Sequence, residues 1–172
     1  IGLNLFDKNT FFGDHSDSGV DKDNWRQDVG GSLTFSFPLD LHHRIVPGYE
    51  ISWIDLPDES ERRHGILLSL VRDTADYFIM DIISGSQVNL TAKYGNEALG
   101  SENSFQSYAG DLRFYTNLDM REYFAAGQRL VTSLRLHGGV TKDDPRLFVL
   151  GGEEWLRGYE FNEFSGERMW AV

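Results

Sequence analysis

A single arginine lies in a glycine-rich segment near the end of the chain, where residues 150–161 read LGGEEWLRGYEF. The Arg157 guanidinium offers five donors in a rigid fork and stays charged, so it can hold a loop to carboxylates. Gly158 allows close approach of the backbone, and Tyr159 adds a flat ring with one polar group. The chemistry indicated is electrostatic attachment of a loop; the alternative is a surface arginine in an irregular loop.

Other groups of polar residues carry weaker chemical signals. Glu153 and Glu154 are adjacent, and neighbouring side chains on a strand point apart, so they do not indicate an acid–base pair. An acidic cluster offers the oxygen ligands that calcium prefers but lacks the spacing of an EF-hand loop, which favours a solvated loop. Its members are Asp14, His15, Asp17, Asp21 and Asp23. The sequence has no serine elbow, phosphate loop or zinc-protease motif, so no enzyme, metal or cofactor is expected.

Composition narrows the possible classes of protein further. The chain has 172 residues, no cysteine and a net charge of −11. The negative charge argues against a nucleic-acid partner, because phosphates require a basic surface. Disulfide scaffolds and thiolate metal sites are excluded. No apolar run approaches the ~20 residues of a membrane-spanning helix, whereas a barrel strand needs only ~9–11 residues with alternating polarity.

Alternation with a period of two residues dominates the chain and predicts strands whose two faces meet different surroundings. The clearest case is 129–137, where leucines at 130, 134 and 136 share one face. Arg129, Arg135 and His137 share the other face. The segment 108–117 repeats the pattern, with Asp111 and Arg113 on its polar face. Charges are costly in a dry core unless they are paired, so these five residues are predicted to face a wet barrel lumen.

The order of these segments indicates an antiparallel, up-and-down arrangement. About eight strand candidates are joined by connections of alternating length, short at one end and long at the other, as in outer-membrane barrels. The predicted long connections are 7–28, 55–64, 95–104 and 141–166.

The glycine-rich segment, with the strands around it, resembles the loop of the Omp85 or BamA-like family, the bacterial surface-antigen barrels of outer-membrane assembly and translocation proteins. That family carries a (Val/Ile/Leu)-Arg-Gly-(Phe/Tyr) signature, which Leu156, Arg157, Gly158 and Tyr159 match here. Gly151 and Gly152 precede the signature, and the order of strands from about Arg63 onward is similar. Family members often have a proline and a glycine in the turn near Ser84, and this chain has no proline there.

The resemblance implies an all-β fold: about eight strands of a larger transmembrane β-barrel with a glycine-rich loop folded inward. Residues 1–172 are expected to form part of a single outer-membrane barrel domain truncated at both ends, because an open half-barrel would expose unpaired strand edges in lipid. The implied partners are outer-membrane lipid, client polypeptides or barrel proteins, and periplasmic repeat domains of the same parent chain.

The function implied by the resemblance is insertion of barrel proteins into the outer membrane of a Gram-negative-type bacterium, or translocation of polypeptides across it. Two alternatives stay open at this point. The barrel can be a membrane carrier for an upstream enzyme such as a patatin-like lipase. It can also be a passive porin or a soluble β-binding domain.

Overall fold

A computed structural model describes residues 1–11, 25–56, 60–78, 81–119, 129–144, 148–150 and 164–171. In these residues the chain is all-β apart from one short 3-10 helix, Glu97–Leu99. The strands are β1 (Gly2–Phe11), β2 (Trp25–Thr34), β3 (Phe37–Pro38), β4 (His43–Asp55), β5 (Ser60–Asp73), β6 (Asp76–Phe78), β7 (Asp81–Gly95), β8 (Phe105–Asp119), β9 (Arg129–Lys142), β10 (Phe148–Leu150), β11 (Phe164–Gly166) and β12 (Arg168–Ala171). Across these ranges, no helix is long and apolar enough to cross a membrane.

Ten of the twelve described strands form one antiparallel, up-and-down sheet. Its order is β1-β2-β4-β5-β7-β8-β9-β12, with β3 and β6 attached as short extensions beside β4 and β7. The pairings are long and regular: β8 and β9, for example, pair continuously from Gln106↔Lys142 to Asp119↔Arg129. The eight strands on this path agree with the predicted eight, and the all-β, up-and-down prediction is confirmed. The ribbon of β10 and β11 forms a separate 2-stranded sheet.

The two faces of the main sheet differ in chemistry, because side chains alternate along every strand. One face, which we call the apolar face, carries large hydrophobic side chains that remain open to the surroundings. Leu70, Leu90 and Leu134 are 48%, 45% and 49% exposed there. Further members in the same register are Trp53, Ile66, Leu68, Tyr108, Phe114 and Val140.

The opposite face, which we call the polar face, buries charged and hydroxyl groups instead. Glu50, Arg63 and Thr141 are buried there, and Ser52 is 1% exposed. A water-soluble sheet protein would normally hide its apolar face and expose its polar one. This sheet does the reverse, as barrels in lipid do.

Three of the predicted long connections were wrong in their bounds. Residues 7–11 and 25–28 of the predicted connection 7–28 are strand, and the predicted connection 141–166 contains the end of β9 and all of β10 and β11. The sequence also indicated a long loop over residues 55–64, but β4 ends at Asp55 and β5 begins at Ser60. The misplaced residues Glu61, Arg62, Arg63 and His64 are strand residues. Near this end of β5 the side chains on both faces are polar. Polar and apolar residues therefore do not alternate there, and the sequence pattern does not indicate a strand.

Candidate functional site

A cluster of charges on β8 and β9 forms the centre of the polar face, and we call it the Asp111 cluster. It consists of Asp111, Arg113, Arg135 and His137. In the strand register Asp111 lies opposite His137, and Arg113 lies opposite Arg135. The period-two alternation of both strands therefore places all four side chains on one face.

The Asp111 carboxylate binds two guanidinium groups at once. Arg113 donates from Nε to Oδ1 at 3.1 Å and from Nη2 to Oδ2 at 2.9 Å. Arg135 repeats this two-bond contact at 3.2 and 2.6 Å. Charge-assisted bonds of this forked kind are stronger and more directional than neutral ones.

This arrangement compensates a repulsion that the strand pairing creates. Like charges directly opposite on neighbouring strands are destabilising, and Arg113 faces Arg135 in that way. Asp111 neutralises one of the two cations and fixes the position of both. The Nδ1 atom of His137 lies 3.8 Å from the same carboxylate. Paired charges of this kind are more compatible with a wet surface than with a dry core.

A second group of charges, which we call the Arg63 clamp, lies near the end of the sheet where β5 begins. It comprises Arg63, Glu61 and Asp144. The guanidinium of Arg63 donates from Nη1 to Asp144 Oδ1 at 2.7 Å and contacts Glu61 Oε2 at 3.0 Å. All three residues are buried, and Arg63 is 2% exposed.

Phe105 forms the platform beneath this clamp. Its ring lies 4.7 Å from the Arg63 guanidinium carbon, within cation–π distance. Gly65 and Gly95 make room for the ring, because a Cβ on either glycine would overlap it. A methyl group on Gly95 would also lie 2.6 Å from the His64 carbonyl oxygen. The two glycines are therefore required for close approach.

A third ion pair crosses a strand. Lys93 on β7 donates from Nζ to Glu50 Oε2 on β4 at 2.8 Å, although β5 lies between these strands. The contact, like that of Arg63 with Asp144, joins parts of the sheet that are not hydrogen-bonded neighbours. Such contacts are made over the polar face, which is consequently the more enclosed of the two.

The residues predicted from the sequence fall into two groups. Asp111, Arg113, Arg135 and His137 come together on the polar face. Arg129 begins β9 and pairs with Asp119, and its side chain lies outside the described part of the molecule. The loop motif also lies outside the described residues; its members are Gly151, Gly152, Leu156, Arg157, Gly158 and Tyr159.

The flanks of that loop are described. Leading into it is β10, and β11 follows it, with Phe148 opposite Gly166 and Leu150 opposite Phe164. The backbone N–H of Thr141 donates to the Glu167 carbonyl oxygen at 2.7 Å. The loop thus leaves and rejoins the sheet at adjacent points on β9 and β12.

Comparison with known families identifies the chain. A model described as the Omp85 superfamily domain matches residues 1–169. The chain belongs to the Omp85 superfamily. No curated protein matches its sequence. Omp85 proteins are outer-membrane proteins that act in the insertion and translocation of polypeptides. The family resemblance deduced from the Arg-Gly-aromatic segment is confirmed.

Sequence reasoning missed the most buried charged side chain among the residues of this Omp85 member that the structure describes. Arg63 stands in the run Glu61-Arg62-Arg63-His64, which was interpreted as loop. The signal that could have found it is the alternation itself: Glu61, Arg63 and Gly65 fall on one face once β5 is extended to Ser60. Asp144 could not be found in this way, because its partner lies 81 positions away in the sequence.

Proposed function

We propose that this Omp85 member acts in the outer membrane of a Gram-negative-type bacterium, where it inserts barrel proteins or moves polypeptides across the membrane. The observation that carries the proposal is the inverted polarity of the sheet within an Omp85 domain. Leu90 and its neighbours are open on the apolar face, whereas the Asp111 cluster and the Arg63 clamp lie on the polar face. Lipid suits the first face and a water-filled lumen suits the second.

The strands belong in this proposal to a single outer-membrane barrel domain. Within the described residues, β1 pairs with β2 and β12 pairs with β9. Unpaired backbone is unstable in hydrocarbon, so in the membrane the outer edges of β1 and β12 must be paired with other strands of the barrel. The lumen-facing residues proposed are Asp111, Arg113, Arg129, Arg135 and His137.

Arg157 is the residue to which we assign the central role in the loop. Its fork would bind acidic residues of the inner wall and hold the glycine-rich loop inside the lumen. Clients and lipid are the proposed partners, together with periplasmic repeat domains of the same parent chain. Chemistry on a substrate is not part of this function, so neither a catalytic residue nor a cofactor is assigned.

The test is replacement of Arg157 by alanine in a cell that depends on this protein. We expect lower levels of client barrels or secreted polypeptide, while the strand content of the variant in circular dichroism stays close to that of the parent. Lys142→Ala, which removes a cation on exposed β9 surface before the loop, is the control. Unchanged growth and client levels in the Arg157 variant would count against the proposal.

A further inference from the structure

The Arg63 clamp connects two regions that the strand order keeps apart. Arg63 is on β5, and Asp144 follows the end of β9; β7 and β8 lie between these strands. Three strand spacings amount to roughly 14 Å. The contact of 2.7 Å therefore exists only because the chain after β9 turns back over the polar face.

Arg63 contacts the backbone of this turn as well as the Asp144 side chain. Asp143 adopts φ 55°, the left-handed conformation that is uncommon outside glycine, although aspartate tolerates it better than most residues. Its carbonyl oxygen accepts from Arg63 Nη2 at 3.2 Å. One guanidinium thus binds both the carbonyl of the turn and the carboxylate of the next residue. A conformation of this kind persists where surrounding contacts determine it.

The turn that holds Asp144 lies close in sequence to the glycine-rich loop. Asp144 is four residues before β10, which opens the segment carrying the Arg157 motif. We infer that Arg63 is a positioning residue that fixes the start of the glycine-rich loop, at Asp144, to the inner wall. The loop would then be attached both at this base and at its tip, where Arg157 lies. This inference rests on the proposed function for the role of the loop tip.

The charges of the Arg63 clamp indicate that Arg63 specifically holds the turn at Asp144, and does not merely stabilise the sheet as a whole. Removing Arg63 would leave the buried carboxylates of Glu61 and Asp144 beside each other without their shared cation, which is strongly unfavourable. The turn would lose both its carboxylate contact and its carbonyl contact with Arg63, so we expect it to be held less firmly to the polar face. Glu61 would keep its bond from the Asn103 amide at 3.1 Å and would remain on the wall.

The chain supplies matched controls for both partners. Arg62 is next to Arg63 but lies on the opposite face and is exposed. Asp143 is next to Asp144, its side chain is exposed, and asparagine is tolerated in its left-handed conformation. Arg63→Gln is therefore compared with Arg62→Gln, and Asp144→Asn with Asp143→Asn.

The experiment is hydrogen–deuterium exchange of the full-length protein in lipid nanodiscs, with peptides that cover residues 141–150 and 164–171. We expect Arg63→Gln and Asp144→Asn to raise exchange in these peptides by about tenfold or more, because a buried ion pair has lost one partner. Peptides of β4 and β7 should not change, and the two control variants should match the parent.

Two outcomes of this experiment would overturn the inference. One is equal exchange in Arg63→Gln and Arg62→Gln. The other is an increase in exchange that is spread evenly over all strands. Either result would mean that Arg63 supports the barrel wall and does not position the loop. If Arg63→Gln fails to assemble, Asp144→Asn decides, because Asp144 lies outside the wall strands.

Client assembly links the clamp to the motif. In cells, Arg63→Gln should lower client levels, and combining it with Arg157→Ala should add little to the loss caused by Arg157→Ala alone. Fully additive losses would contradict a shared role. If Arg157→Ala has no effect on clients while the exchange result holds, the proposed function fails and the clamp stands.

Discussion

At the scale of single residues, Asp111 is the side chain on which the centre of the polar face depends. It accepts forked hydrogen bonds from Arg113 and Arg135, which face each other across β8 and β9. The same carboxylate lies 3.8 Å from His137 Nδ1. Asp111 therefore links three basic side chains of the cluster.

Replacing Asp111 by asparagine tests this link. The amide keeps the shape of the side chain but loses the charge, so two cations are left opposite each other. We expect a loss of about 1.5–3 kcal/mol in the free energy of unfolding, the range for hydrogen bonds to charged groups. Urea unfolding in lipid measures it. Asp76→Asn, at an exposed position on β6, should change stability by less than about 0.5 kcal/mol. Equal midpoints for the two variants would refute the role given to Asp111.

At the scale of elements, the turn between β3 and β4 shows how a short connection is fixed. The Asp40 carboxylate accepts from the backbone N–H groups of His42 and His43 at 2.7 and 2.8 Å. It also bonds the His43 ring at 2.9 Å. The backbone bond from His42 is the largest of the causes that lower the pKa of Asp40 to about 2. The side chain thus closes the turn in the manner of an Asx motif.

This turn should respond to acid with a defined sign. Because the pKa of folded Asp40 is below its ordinary value, its contribution is complete above pH ~4 and is lost as the pH falls toward 2. Amide exchange of His42 and His43, followed between pH 5 and 2, should rise at the acid end after correction for intrinsic rates. In Asp40→Asn the corrected rates should show no such rise. A rise of the same size in both proteins would mean that another group controls the turn.

At the scale of the whole molecule, the distribution of polarity over the two faces is the feature that fits a membrane. Leu90 lies in the central part of β7 on the apolar face, and Asn89 beside it points to the polar face. Both side chains are exposed. The pair offers a direct comparison of the two environments at the same depth.

An arginine at each position separates a membrane sheet from a water-soluble one. Leu90→Arg should cost about 2–4 kcal/mol if lipid covers that face near the bilayer midplane, whereas Asn89→Arg should cost far less in a wet lumen. Folding yields into lipid vesicles and urea titrations measure the difference. Near-equal yields for the two variants would indicate that both faces meet water, and the outer-membrane proposal would then fail.

The sequence by itself determined the local structure and the family. Alternation along segments such as 108–117 and 129–137 specified strands and their faces, because side chains on a strand have a fixed period of two. The four residues of the Asp111 cluster could be assigned to one kind of surface for the same reason. The Arg-Gly-aromatic segment indicated the superfamily that residues 1–169 match.

Tertiary structure decided which charges meet. The period of a strand gives the face of a residue but not its partner, since register and long-range turns are set by the pairing of all strands. It was the β8–β9 register that placed one carboxylate between Arg113 and Arg135. Only the fold brings Asp144 close to Arg63. As a result Arg63, which lies in a run of charged residues that was predicted to be a loop, forms the most buried ion pair among the described residues.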